Sequence, residues 1–254
     1  YEAQLGTEGY QGLLESARVV GTWDDHDFGE NNAGNEYPMR AESQQAALDF
    51  LGVSPDDARR TREGLYSSYA WGPEGRRVKV ILLDSRYHRE ERGTDGAVLG
   101  EEQWRWLEEE LTDSEAQIHI IGNGIQVLPE DHRYEKWANF PTERRRLLDL
   151  IGQTGAPGVV LLSGDRHLSE ISRIEDDAVP YPIHEVTASG MTHSFRDGGG
   201  EVNRHRLGEN FTELNFGFAE IDWAAGVLSL QIRDVDGATV RETRVGFAEL
   251  GLDP

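Results

Sequence analysis

The sequence of 254 residues predicts an α/β fold. In the first part of the chain, short apolar runs typical of buried strands alternate with amphipathic helical segments. Polar side chains repeatedly follow these runs, at the strand ends where α/β proteins bind ligands. The last part carries patterns that are typical of antiparallel strands. Because no repeat, low-complexity tract or linker interrupts this order, we predict a single domain over residues 1–254.

The first elements are predicted to be helix, strand and helix. Residues 1–17 place apolar side chains at helical spacing and predict a short helix. The apolar run 18–21 predicts a buried strand. Residues 41–51 predict a helix that ends at Gly52, since glycine is favoured just beyond a helix C-terminus. Pro55 favours the start of another short helix.

The central elements are predicted to form a hairpin and then to alternate between helix and strand. Residues 65–71 and 78–83 flank a Gly-Pro-Glu-Gly turn, which favours an antiparallel pair. The later central elements are a helix over 100–111, a strand over 118–121, a helix capped by Thr142 and a strand over 158–162. The last elements are predicted strands over 183–187, 216–223, 227–233 and 239–245. In the strand 227–233 apolar and polar residues alternate, so we predict that one face is buried.

The composition excludes several classes of function. A formal net charge of −22 disfavours a nucleic-acid partner, because a polyanion would be repelled. No apolar run reaches 18 residues, so the sequence predicts no membrane-spanning helix. The absence of cysteine removes disulfides, thiolate metal ligands and thiol nucleophiles.

An acidic cluster follows the apolar run 18–21. Asp24, Asp25 and Asp27 surround His26 within four residues. Carboxylates packed this closely repel one another unless cations compensate them, and oxygen and imidazole ligands suit hard or borderline metals. The alternative is an acidic surface turn that caps a helix.

A second cluster of the same design follows the predicted strand 158–162. Asp165 and His167 are two positions apart in the sequence Ser-Gly-Asp-Arg-His. On an extended loop this spacing lets both side chains face one cation. A lone Gly-Asp-x-His is a weak signal, but two clusters at strand ends together predict a metal site.

These motifs resemble the PhoD-type alkaline phosphatases of the calcineurin-like metallophosphoesterase superfamily. The resemblance covers nearly the whole chain. Its motifs, in chain order, are Trp23–Asp27 followed by Asn31, Leu83–Arg86, the helix that contains Trp104, Trp137–Pro141 and Ser163–His167.

The resemblance implies a four-layer α/β/β/α sandwich that hydrolyses phosphomonoesters or phosphodiesters, with calcium and iron at strand ends. The superfamily's first strands and its first metal-binding motifs are expected upstream of Tyr1, so the chain would hold only part of the metal site. The implied partner is a small-molecule phosphoester. An exported location is favoured by the resemblance alone, and the oligomeric state is open.

The resemblance also assigns roles to five residues. The implied metal ligands are Asp25, Asp165 and His167, with Asn31 as a ligand of the metal or of the phosphate. His26 is the implied general acid for the leaving oxygen. Arg86 and Arg166 are added as candidate catalytic residues, because either guanidinium could clamp the phosphate bidentately. For each arginine the alternative is a structural ion pair.

Three further residues are candidates at this site. A middle ligand is expected from Asn123 or Gln126, and His193 is expected to line the cleft. Two other functions remain open: a non-catalytic metal-binding or interaction domain that retains part of the fold, and an enzyme that acts on diesters or phospholipids.

Overall fold

The computed structural model describes residues 1–252. Within this range the helices are α1 (Glu2–Leu5), α2 (Glu8–Ser16), α3 (Asp25–Phe28), α4 (Arg40–Phe50), α5 (Glu101–Leu111) and α6 (Pro141–Thr154). The strands are β1 (Ser67–Trp71), β2 (Val78–Leu82), β3 (Ile118–Gly122), β4 (Val159–Ser163), β5 (Ser169–Ile174), β6 (Ile183–Ala188), β7 (Asn215–Asp222), β8 (Val227–Asp234) and β9 (Thr239–Gly246).

The strands form two sheets. The larger sheet has the order β1-β2-β3-β4-β6-β5, and its four central strands are parallel. The edge strands β1 and β5 are antiparallel to their neighbours, so the predicted β1–β2 hairpin is confirmed. The smaller sheet, β7-β8-β9, is antiparallel throughout.

The larger sheet is covered on both faces. On one face, Trp104 and Leu107 of α5 and Leu147 of α6 pack against apolar side chains of β3 and β4. On the other face, Val160 of β4 packs in a core with the apolar residues of β8. Leu228, Leu230 and Ile232 of β8 are almost fully buried, as predicted, but the prediction that only one face is buried is wrong. Ser229 and Gln231 on the opposite face are buried too, because the Gln231 amide donates to the Ser229 hydroxyl at 2.9 Å and the Ser229 hydroxyl donates to Glu242 at 2.5 Å. The α/β sandwich is therefore confirmed.

The described layers are helices, the larger sheet and the smaller sheet. Along β7 most side chains are exposed, and residues 1–252 place no helix of two turns or more on the smaller sheet. The outer helical layer of the four-layer sandwich, its first strands and the single-domain organisation stay predictions. No helix within residues 1–252 has the length and apolar character needed to cross a bilayer.

The predicted strand over 18–21 is wrong. This segment is extended, but its backbone enters neither sheet of the described chain. It passes beside the edge strand β1, where the Arg18 guanidinium lies 5.1 Å from the ring centre of Tyr69. An apolar run identifies a segment that is partly buried, and it does not specify a hydrogen-bonded partner.

The sequence analysis did not predict the strand β5, because its inward-facing residues are largely polar. Ser169, Glu170 and Ser172 are almost fully buried although they are not apolar. Hydrogen bonds satisfy them: the Ser172 hydroxyl accepts from the Asn203 amide at 2.9 Å. Hydrophobic periodicity does not detect a strand whose buried positions are occupied by such a network.

The predicted cap of α6 is also wrong. Phe140 is the N-cap and Pro141 occupies the first helical position, where its missing N–H costs nothing. Thr142 lies inside the first turn, and Asp95 from a distant loop accepts both its N–H, at 3.0 Å, and its hydroxyl, at 2.7 Å. A side chain from another segment therefore supplies the cap.

Candidate metal centre

The candidate centre lies where the loops after β3 and β4 meet the segment that begins α3. The Gly164 N–H donates to the Gly124 carbonyl at 2.9 Å and joins the two strand-end loops. Asp24 packs directly against this junction, since a Cβ placed on Gly124 would lie 2.5 Å from the Asp24 Oδ1 atom. Glycine at position 124 allows the acidic segment to approach the sheet.

Three carboxylates converge at this junction. Asp24, Asp25 and Asp165 each offer one oxygen, and the three oxygens lie within 4.8 Å of one another. The Asp25 carboxylate is fixed by two backbone donors, because it accepts the N–H groups of His26 and Asn32, each at 2.8 Å. The structure thus brings the two predicted clusters together and places Asp24 beside the predicted ligands Asp25 and Asp165.

The electrostatics of the cluster favour a bound cation. Burial, together with the charge of Asp24, raises the pKa of Asp165 well above its usual range. Burial also raises the pKa of Asp24, although the Arg86 guanidinium partly offsets that rise. A bound metal ion offsets both the mutual repulsion and the desolvation of buried carboxylates. Carboxylate oxygens with a nearby imidazole suit hard or borderline cations. The residues present therefore fit a metal group.

Arg86 does not reach the cavity. Its side chain is fully buried, pairs with the Asp24 carboxylate and lies 2.6 Å from a Glu135 oxygen. Glu135 also pairs with the buried Arg89 at 3.2 Å. The structure thus corrects the predicted role of Arg86 as a phosphate clamp, because two carboxylates already hold its guanidinium. The sequence did not predict the role of Glu135. Its two arginine partners are distant in the sequence, so no local pattern identifies the ion pairs.

The loop after β4 has an unusual backbone. Asp165 and His167 adopt left-handed conformations with φ of 65° and 51°. Such conformations are uncommon outside glycine and persist only where the surroundings hold them. Here the His167 N–H donates to the Ser189 hydroxyl at 3.1 Å. The His167 Nε2 atom lies 3.2 Å from the His193 Nε2 atom, so the second imidazole lies at the centre, as expected for His193.

A cavity of about 530 Å³ opens at the cluster. It lies within the size range of ligand sites in proteins. Among its lining residues are six of the seven predicted site residues: Asp25, His26, Asn31, Asp165, Arg166 and His167. His26 and Asn31 are exposed there. The structure thus brings six predicted residues to one cavity, and Arg86 is not among the lining residues.

Arg166 is held at the edge of this cavity. Its guanidinium pairs with Glu201 at 2.6 Å and lies 4.2 Å from the ring centre of Tyr134. The two candidates for the middle ligand are engaged elsewhere. The Asn123 Oδ1 atom accepts the indole N–H of Trp137 at 3.0 Å, and the Gln126 amide oxygen lies 2.9 Å from the His132 ring nitrogen. Both amide oxygens are therefore engaged with other side chains of the protein.

The fold and the site define an α/β sandwich with a carboxylate cluster at the ends of its parallel strands. A sequence model of the PhoD-like phosphatase family matches residues 1–222. The chain belongs to the PhoD-like phosphatase family.

The chain is also similar to one curated protein and, in its fold, to two solved structures. The chain is 26% identical over 190 residues to alkaline phosphatase D of Bacillus subtilis (strain 168), which covers 62% of this chain and 32% of that protein. A solved structure described as the structure of PhoD superposes with a TM-score of 0.63 at 20% identity, covering 89% of this chain and 51% of that one. A second structure, described as GAP50, the anchor in the inner membrane complex of Plasmodium, has a TM-score of 0.51 at 13% identity. It covers 72% of this chain and 54% of GAP50. The chain thus matches about a third of the curated relative and about half of each solved structure.

Proposed function

We propose that this chain is part of a metal-dependent phosphoester hydrolase. The observation that carries the proposal is the convergence of the Asp24, Asp25 and Asp165 carboxylates at a cavity that His26 and His167 also line. Membership of a phosphatase family supports the reaction class.

The metal ligands proposed from this chain are Asp25, Asn31, Asp165 and His167. Carboxylate and amide oxygens are the donors that calcium prefers, and an imidazole nitrogen is also acceptable to iron. We therefore keep calcium and iron as the proposed metals. When bound, such cations lower the pKa of water and compensate negative charge on a phosphoryl group. Asp24, already paired with Arg86, is proposed to act mainly by its charge.

The remaining side chains have roles that follow from their positions. His26 is the second residue of α3 and is exposed in the cavity, where its imidazole is proposed to donate a proton to the leaving oxygen. The Arg166 guanidinium, held by Glu201, is proposed to bind a phosphate oxygen. Arg86 is proposed to be a positioning residue that fixes Asp24.

The substrate is proposed to be a small-molecule phosphoester, and the exported location implied by the family resemblance remains part of the proposal. The ester class is decided by comparing hydrolysis of p-nitrophenyl phosphate with that of its bis ester in the presence of calcium. A strong preference for the bis ester would assign the protein to the diester-cleaving alternative.

The catalytic proposal is tested in the full-length protein with Asp25→Ala and His167→Ala. Both variants are expected to lower hydrolysis at least a hundredfold and to lower the bound metal measured by elemental analysis. Asp56→Ala, which removes an exposed carboxylate elsewhere, is the matched control and is expected to retain both. Full activity in both site variants would contradict the assignment. A full-length protein that binds metal and hydrolyses no phosphoester would establish the non-catalytic alternative.

A further inference from the structure

The cavity beside the carboxylate cluster has a basic part that the proposed reaction does not use. Arg92, Arg133 and Tyr134 line it together with the predicted site residues. Its volume of about 530 Å³ far exceeds the roughly 30 Å³ that one water molecule occupies in the liquid. A single phosphoryl group at the cluster therefore leaves much of the cavity free.

The charges in this part of the cavity contrast with the composition of the chain. The protein has 47 acidic and 25 basic residues, so acidic partners are abundant. Yet among residues 1–252 neither Arg92 nor Arg133 forms an ion pair with an acidic side chain, and both are exposed. Arg133 instead lies 5.3 Å from the ring centre of Tyr134. Two guanidinium groups without counter-ions thus face solvent beside the cluster.

Arg166, which is proposed to bind the first phosphate, borders this region and is fixed and incompletely satisfied. Its side chain is only 4% exposed and is held by Glu201 and the ring of Tyr134. Its Nε–H is buried and has no acceptor among the described residues. A buried donor that is left unpaired costs free energy, and an anionic oxygen would remove that cost. The positive field extends further, since burial and then the charges of Arg92 and Arg166 lower the pKa of Lys136.

We propose that Arg92 and Arg133, beside the anchored Arg166, form a subsite for a second anionic group on the substrate. The preferred substrate class is then a phosphoester that carries a further phosphate or carboxylate a few bonds from the scissile phosphate. The inference rests on the proposed function, because the cluster must hold the first phosphate. Guanidinium groups suit this role since they bind phosphate and carboxylate oxygens in pairs.

The test measures binding to the metal-loaded full-length protein by calorimetry. The probes are propylphosphonate and propane-1,3-bisphosphonate, which have the same carbon chain and differ by one anionic group. A third probe, 4-phosphonobutanoate, replaces the second phosphonate by a carboxylate and distinguishes the two kinds of anion. Ionic strength is held at about 0.15 M so that distant charges are screened.

The protein is expected to bind propane-1,3-bisphosphonate at least tenfold more tightly than propylphosphonate. The double variant Arg92→Gln/Arg133→Gln is expected to lower this ratio to about threefold or less. Arg76→Gln, which removes an exposed guanidinium that lines a different cavity, is the matched control and is expected to keep the ratio.

The outcomes separate the two proposals. The subsite proposal would be wrong if the double variant kept the ratio of the two affinities, including the case in which it lost affinity equally for both phosphonates. The phosphatase proposal would then remain intact. Failure of the metal-loaded protein to bind even propylphosphonate, together with no hydrolysis of any phosphoester, would overturn both. A preference for 4-phosphonobutanoate over the bisphosphonate would assign the second anion as a carboxylate.

Discussion

The loops after β2 and β4 contain the same residue types, an aspartate followed closely by an arginine and a histidine. In the first loop, Asp84 is buried and accepts three backbone N–H groups, from Leu65 at 2.8 Å and from Arg86 and Tyr87 at 2.9 Å each. In the second loop, Asp165 is half-buried and only burial and neighbouring charges act on it.

The two loops show that burial of a carboxylate can stabilise or destabilise the fold, depending on the hydrogen-bond donors that it receives. Asp84, which receives three backbone N–H groups and does not line the cavity, stabilises the fold. A carboxylate crowded by like charges, on a left-handed backbone, destabilises the fold and gains from a cation. The first loop is therefore structural, and the second belongs to the candidate site.

The largest effect is expected from Asp84→Ala. The substitution leaves three N–H groups without an acceptor, at about 1–3 kcal/mol each, so the free energy of unfolding should fall by about 3 kcal/mol or more. Urea denaturation measures this loss. Asp84→Asn, which keeps one oxygen, should lose less. A loss below about 1 kcal/mol for Asp84→Ala would remove the distinction between the loops.

A smaller effect is expected from Gly124→Ala. The added methyl group would lie 2.5 Å from the Asp24 Oδ1 atom, so the acidic segment must shift. Overpacking of this kind costs about 1–3 kcal/mol, and the rise in Tm on adding calcium should also shrink. Gly12→Ala, on the exposed α2, meets no atom within 4 Å and should be neutral or slightly stabilising. Equal behaviour of the two variants would contradict the close approach at Gly124.

The surroundings of Arg166 predict a pH dependence through His132. Burial and then the charges of Arg166 and Lys136 lower the pKa of His132 from 6.5 to about 3. The folded protein keeps this imidazole neutral, so its contribution is fully present above pH 6.5 and is lost as the pH falls towards 3.

Between these values the free energy of unfolding should fall by about 1 kcal/mol per pH unit more in the wild type than in His132→Gln. Urea denaturation at several pH values measures the two slopes. If the free energy of unfolding changed with pH equally in the two proteins, His132 would not be held neutral in the folded protein.

The smallest effect on stability is expected from Asp165→Asn. In the metal-free protein its free energy of unfolding should stay within about 0.5 kcal/mol of the wild type or rise, because a crowded carboxylate is removed. The rise in Tm on adding calcium should nevertheless be lost. If Asp165→Asn lowered the free energy of unfolding as much as Asp84→Ala does, the roles of the two loops would both be structural.

Much of the fold was predictable because hydrophobic periodicity is a local property. The strands β2, β3, β4 and β8 and the helix α5 have apolar residues at the spacing that each structure requires. The errors arose where tertiary context decides. The run 18–21 found no partner strand, and β5 buries a polar network in place of apolar side chains.

The sequence by itself determined the residue types of the candidate site. Asp165, Arg166 and His167 line the cavity because they follow the parallel strand β4, at the edge of a sheet where ligands bind. Only the tertiary structure decided that Asp25, His26 and Asn31 line the same cavity, since the segment before them enters neither sheet. One of the three donors to Asp84 is the distant Leu65, and Arg86 pairs with Asp24, 62 residues away. Because hydrogen-bond partners are chosen by proximity in space, residues with the same local sequence acquired opposite roles.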